Sequence, residues 1–330
     1  MLSSIISLSV LSVIELFKRN KMEIFLNLAP QILLLYFVIV LGFIASKHLS
    51  LNKDGIAKLS IYILVPMVMF YGVMKTDISL TIVFLPLIVW SISTFSALII
   101  FWLSRKLIPE RTAANILALC AGTANSGYFG IPVAFMLFEP KLVGIYITTV
   151  LGMTLFQNSV GFYITAKGHH TAKESFLKVL KLPVIYAFLL AVILKYSGVD
   201  ELPRLLVPFF ENVKGCYIII GMMIIGAGIA DMEKIRFNLK FISFAFLGRF
   251  LVWPLLAFLF YRLDGLTFNL LNENYAKALV LAAIVPIAAD TVAIATILKT
   301  HPEDMAGAVL LSCLFALFYV PFVASILLVN

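Results

Sequence analysis

Apolar runs of 16 to 26 residues follow one another along almost the whole chain, separated by short polar connections. They fall near 30–47, 56–74, 80–103, 113–138, 142–166, 183–198, 207–230, 241–261, 275–298 and 304–328. A helix rises about 1.5 Å per residue, so such runs suit a hydrocarbon core of about 30 Å. The pattern predicts an all-α polytopic membrane protein of ten transmembrane helices with no extramembrane domain. Only the connection 167–182 is long, and it reads as an amphipathic linker. Residues 1–29 form an N-terminal tail in this scheme. Its apolar stretch Leu2 to Phe17 is short and is followed, not preceded, by Lys18, Arg19 and Lys21, which argues against a signal peptide. An interfacial helix and a native start at Met22 are both open readings.

The fourth run departs from a plain span. Its centre holds Gly122, Thr123, Asn125, Ser126, Gly127, Gly130 and Pro132. Proline cannot donate the backbone hydrogen bond of a continuous helix, and glycine permits unwound chain. Irregular backbone at membrane depth is tolerated where it is buried in protein or lines a cavity. Run 113–138 is therefore expected to be a helix broken at Pro132 over a small polar site.

That break has a counterpart. Pro286 interrupts the ninth run 154 residues after Pro132, and Pro183 opens the sixth run 153 residues after Pro30 opens the first. Residues 30–166 and 183–330 thus form two five-span units, each interrupted in its fourth span. Five is odd, so the second unit enters the membrane upside down, giving the 5+5 inverted repeat of many secondary transporters. Asn125 would lie about 10 Å and Asp290 about 6 Å from their prolines, on the same side of the crossing, and both would face one cavity.

Composition agrees: 62% of the 330 residues are hydrophobic, 13% are charged, and the mean hydropathy is +1.06. Soluble domains carry about 25% charged residues. The net charge of +8 is read as loop charge, not as a nucleic-acid surface. Fourteen Lys and Arg fall in loops on one side (47–58, 105–111, 167–181, 234–240 and 299) and seven on the other. The first side is therefore cytoplasmic, the linker 167–182 lies there, and both ends of the ten-span unit are external to a cell membrane.

Within this frame Asn125 and Ser126 are the leading substrate contacts, with Pro132 and Pro286 shaping the site. The alternative is that their polar groups satisfy carbonyls freed by the break. Asp290, with Thr291 beside it, places a carboxyl near mid-membrane, where taking up a proton removes a buried charge. Arg249 is the one arginine inside a span. It could bind a substrate carboxylate or hold Asp290. Gln157 and Asn158 are adjacent amides that could line the site or bond between helices. Gly221, Gly226 and Gly228 suit close packing, in a scaffold or a dimer surface. Cys120, Cys216 and Cys313 read as buried small hydrophobes. The histidines lie in loops without zinc spacing, and no P-loop or dinucleotide fingerprint is present. No enzyme, cofactor or metal is expected; a proton or sodium ion would be the coupling ion.

The run Asn125-Ser-Gly-Tyr-Phe-Gly-Ile-Pro132 resembles the Asn-x-Gly-x-x-Gly-x-Pro signature of auxin efflux carrier family permeases. Residues 285–295, the segment 302–312 and Ile63-Leu-Val-Pro66 resemble that family's second broken helix, last span and second span. The likeness covers about residues 23–330. It implies ten-span carriers of small organic anions, such as auxin, malate or malonate, related in fold to bile acid–sodium symporters. It also implies that spans 1, 2, 6 and 7 form a scaffold, while spans 3–5 and 8–10 form a moving domain in which the broken helices cross. Asp290 stands where relatives often carry a neutral polar residue. The long central loop of plant members is absent, which favours a compact, prokaryotic-type permease.

Overall fold

The computed structural model describes residues 2–49, 51–166, 177, 179–232 and 235–328, and of residues 2–21, 23 and 24 the backbone only. Most of the linker 167–182, with His169 and His170, lies outside the described residues, as does Glu233. Every regular element described is a helix.

Among the described residues, eight helical segments are long and apolar enough to cross a membrane. The first lies in α1, Leu2–His48, whose apolar part is Phe25–His48. Pro30 lies inside α1 and does not open it, because one missing N–H leaves the rest of the helical ladder intact. Next come α2 (Lys53–Leu59) with α3 (Val65–Met74), α4 (Leu80–Leu107), α5 (Arg111–Gly122) with α6 (Ile131–Leu137), and α7 (Pro140–Phe156) with α8 (Phe162–Thr165). A shorter apolar helix, α9 (Pro183–Tyr196), has only 14 residues. Then follow α10 (Val207–Ala230), α11 (Leu239–Leu247) with α12 (Trp253–Leu266), the interrupted pair α13 (Glu273–Ile284) and α14 (Asp290–Ile297), and α15 (Pro302–Leu327).

Four of these paired helices are joined through a five-residue π-helical turn: Ser60–Leu64, Ser126–Gly130, Gln157–Gly161 and Gly248–Val252. Three of the four end two residues before a proline: Pro66, Pro132 and Pro254. Proline removes one N–H and its ring crowds the carbonyl four residues back, so the ladder widens locally from i+4 to i+5. Pro132 therefore does not break its span. It sits in the first turn of α6, where a missing N–H costs nothing. The interruption lies earlier, at Thr123–Asn125, between α5 and the π turn.

The buried apolar side chains gather in two clusters. One contains Phe129, Val133, Leu151, Leu279 and Val285. The other contains Leu117, Cys120, Ile287, Ala295 and Val309. The interruptions belong to both, Ala124 and Val285 to the first and Ile287 to the second. Helices α1 and α10 pack at close range through glycine: a Cβ on Gly226 would run into the Ile39 carbonyl, and one on Gly42 into the Met223 backbone. Of the other glycines of α10, Gly221 receives the Tyr128 ring, while Gly215 and Gly228 have no neighbour within 4 Å of a built Cβ. Cys216 is exposed, contrary to its reading as a buried hydrophobe, while Cys120 and Cys313 are buried.

Candidate functional site

Helix α5 stops because the chain turns extended at Thr123 (φ −111°, ψ 145°). The Thr123 hydroxyl and N–H both donate to the Leu119 carbonyl, at 2.7 and 3.0 Å, closing the helix end. Gly122 is required by close approach, since a Cβ there would enter the Phe156 ring. The chain resumes at Asn125. Its side-chain oxygen accepts from Phe129 N–H at 3.3 Å and its carbonyl accepts from Gly130 N–H at 3.0 Å, so it caps the π turn.

The second interruption, residues 285–289, is satisfied from outside. Ile287 N–H donates to the Ser312 hydroxyl at 3.1 Å. Arg249 Nε donates to the Val285 carbonyl at 3.0 Å and its Nη2 to the Ala282 carbonyl. The Pro286 carbonyl accepts from Asn125 N–H at 2.8 Å. The two breaks are therefore bonded to each other through main chain. Asp290 begins α14, where a carboxylate complements the positive end of the helix. Gln157 Nε2 donates to Asp290 Oδ2 at 2.5 Å.

These groups border a cavity of about 770 Å³. Its inner end is polar, with Asn125, Ser126, Gln157, Asn158 and Asp290, and its walls include Ile61, Val65, Ile224 and Ile225. Its lining extends to Lys53 and Asp231, which are ion-paired at 2.7 Å on the face expected to be cytoplasmic. Asp231 also accepts from Ser46 at 3.0 Å. On the opposite side, Tyr71 stacks on Phe210 with centroids 5.1 Å apart and donates to Glu211 at 2.8 Å. There Lys214 pairs with Glu211 and lies over the Phe135 ring.

Five of the nine residues singled out from sequence thus share the cavity, and four do not. Pro132 and Pro286 are not in its lining. Thr291 is buried and turns its hydroxyl to the Ala288 carbonyl at 2.6 Å. Arg249 is fully buried away from the cavity lining. It neither pairs with Asp290 nor reaches the cavity, because the carbonyls left free at the end of α13 claim its guanidinium. The Trp253 ring lies 5.3 Å from it. Asn158 lines the cavity while donating to the Thr154 carbonyl of its own helix. Tyr217 of α10 also lines the cavity and was not singled out from sequence. A tyrosine within an apolar helix carries no signal of which neighbour its hydroxyl meets.

Two family models match parts of the chain. Residues 28–175 match the family described as "Membrane transport protein", and residues 215–330 match the "Sodium Bile acid symporter family". A comparison with curated proteins returned no match. The first match bears out the resemblance to auxin efflux carrier permeases, and the second bears out the relation to bile acid symporters. Both are families of transporters, so a multi-pass membrane protein with a transport role is the reading that sequence, fold and families share.

Proposed function

We propose that this transport protein is a secondary active carrier that moves a small organic anion across the cell membrane by alternating access. Its ten spans would be the eight long segments, the short α9 and the interrupted pair α13 and α14, arranged as a 5+5 inverted repeat with both ends external. The observation that carries the reading is the Asn125–Pro286 bond, which ties two interrupted helices together beside a polar cavity. Paired interruptions of this kind expose helix ends and free amides to a ligand. The cavity reaches the lysine-rich face, and an aromatic and ionic cluster lies on the other, which supports an inward-open state.

In this reading Asp290 carries the coupling proton. It faces the cavity, accepts from the neutral Gln157 and has no cationic partner among the described residues. Sodium coupling is the second reading, favoured by the match of residues 215–330 to a sodium symporter family. Uptake of mono- and dicarboxylates into proteoliposomes, with pH and sodium gradients imposed separately, tests both. Saturable uptake driven by one gradient supports the carrier and names the ion. Flux indifferent to either gradient and to counter-substrate would sink it.

A further inference from the structure

Among the described residues, six buried side-chain polar atoms lack a hydrogen-bond partner. Four belong to Ser60, Arg249, Thr300 and Asp304, which do not line the cavity. The other two are the Asn125 Nδ2 and the Tyr217 hydroxyl, and both residues line it. Asn125 is 5% exposed and Tyr217 1%. Buried polar groups in folded proteins are ordinarily paired, and one left without a partner carries its full desolvation cost. Two such groups beside one cavity are explained if something that enters it supplies the partner.

Their placement is complementary. Asn125 holds its side-chain oxygen on Phe129 N–H, so the oxygen is used and the NH₂ remains free to donate. Tyr217 comes from α10 to the π turn that Asn125 caps. A Cβ built on Gly127, two residues after Asn125, would lie 3.3 Å from its hydroxyl, and its ring stands 6.0 Å from that of Tyr128. One donor thus comes from the interrupted helix and one from the helix packed against it. Two unpartnered polar groups bordering one cavity suit an oxygen acceptor, such as a carboxylate or a carbonyl.

We propose that Tyr217 is a ligand-binding residue, and that its hydroxyl and the Asn125 amide form a two-point clamp on an oxygen-bearing group of the transported molecule. The proposal rests on the transport reading for the identity of the occupant, but not for the existence of the site.

The test uses the isosteric variant Tyr217→Phe, with Asn125→Ala and the double variant, in full-length protein in detergent. Calorimetric titration with indole-3-acetate and with malonate gives affinity, and thermal unfolding without ligand gives stability. The clamp predicts that Tyr217→Phe weakens binding of whichever acid the wild type binds by about tenfold or more, the loss of one hydrogen bond to a charged group. The double variant should lose less than the product of the single losses, because both groups hold one acceptor. Without ligand, Tyr217→Phe should be at least as stable as wild type, since it removes a hydroxyl that nothing satisfies. Unchanged affinity would overturn the clamp. So would a clear drop in ligand-free stability, because it would show that the hydroxyl is bonded inside the protein. Wild type that binds neither acid and transports neither would count against the organic-anion reading, and the stability comparison would then decide the clamp alone.

Discussion

The backbone N–H of Asn125 donates to the carbonyl of Pro286 at 2.8 Å, so the crossing of the two interrupted helices is held by main chain. Side chains at the crossing can therefore change without cutting that bond. Asn125→Asp keeps an oxygen for the Phe129 N–H cap and loses the NH₂ donor. The carboxyl is buried without a cationic partner, so a lower melting temperature is expected, and organic-anion uptake should fall at least tenfold, because a donor becomes a negative charge. Thermal unfolding and proteoliposome uptake measured on one preparation check this. Uptake near the wild-type rate would remove Asn125 from the site.

Asp290 accepts from Gln157 and makes no ion pair with Arg249, which leads to a different expectation for Asp290→Asn from the one a buried pair would give. Asparagine still offers Gln157 an oxygen and leaves no charge stranded, so expression and stability should be near normal. If Asp290 carries the coupling proton, concentrative uptake driven by a pH gradient should be lost while substrate exchange at equal pH persists. Gradient-driven uptake of undiminished size in the variant would assign coupling elsewhere.

Arg249 holds two carbonyls at the end of α13, at Ala282 and Val285. A hydrogen bond to a charged group contributes about 1.5–3 kcal/mol, and Arg249→Ala leaves both acceptors buried without a partner. A loss of about 3 kcal/mol or more is expected, read as low yield and a melting temperature lower by several degrees. Arg249→Lys should recover only part of it, because an ammonium cannot span two carbonyls with a planar fork. An alanine variant as stable as wild type but inactive would give Arg249 to the substrate.

How far these relations were legible follows from their chemistry. The first interruption was visible because glycine, asparagine and proline are rare together in an apolar run, and the second because Pro286 follows Pro132 at an offset of 154 that matches the repeat. Their position was misread at Pro132, because the residue that disturbs the ladder sits one turn beyond the disturbance, at the start of the next helix. Gln157 and Asp290 stood out as polar residues, but nothing in the sequence paired them. The partner of Arg249 was illegible for a plainer reason: main-chain carbonyls freed by an interruption are the same in every residue. Tyr217 was hidden among apolar neighbours, since its role depends on which way one helix faces.

Gly226 lets α10 approach α1 until its Cα faces the Ile39 carbonyl. A methyl there meets backbone, which cannot rotate away as a side chain can. Gly226→Ala should force the two helices apart and cost several degrees of thermal stability, whereas Gly228→Ala, with open space around it, should be close to neutral. Melting temperatures of the two variants in one detergent test the pair. Equal values would show that α1 and α10 do not depend on this contact.

The direction in which the cavity opens can be read by chemical access. Ala293 of α14 lines the cavity and is exposed, while Asp77 is exposed in the loop beyond α3, ion-paired to Lys141 at 2.9 Å. Charge counting puts Lys53 and Asp231, to which the cavity lining extends, on the cytoplasmic side, and Asp77 outside. The exposed native thiol, Cys216, is first replaced by serine; Cys120 and Cys313 are buried and can stay. In that background a membrane-impermeant thiol reagent should label Ala293→Cys in inverted vesicles but not in right-side-out vesicles. It should label Asp77→Cys in the opposite set. A cargo that binds at the inner end of the cavity should slow labelling at residue 293 and leave residue 77 unaffected. If both sites label from the same side, the cavity does not open as the lysine distribution requires, and the inward-open assignment fails with it.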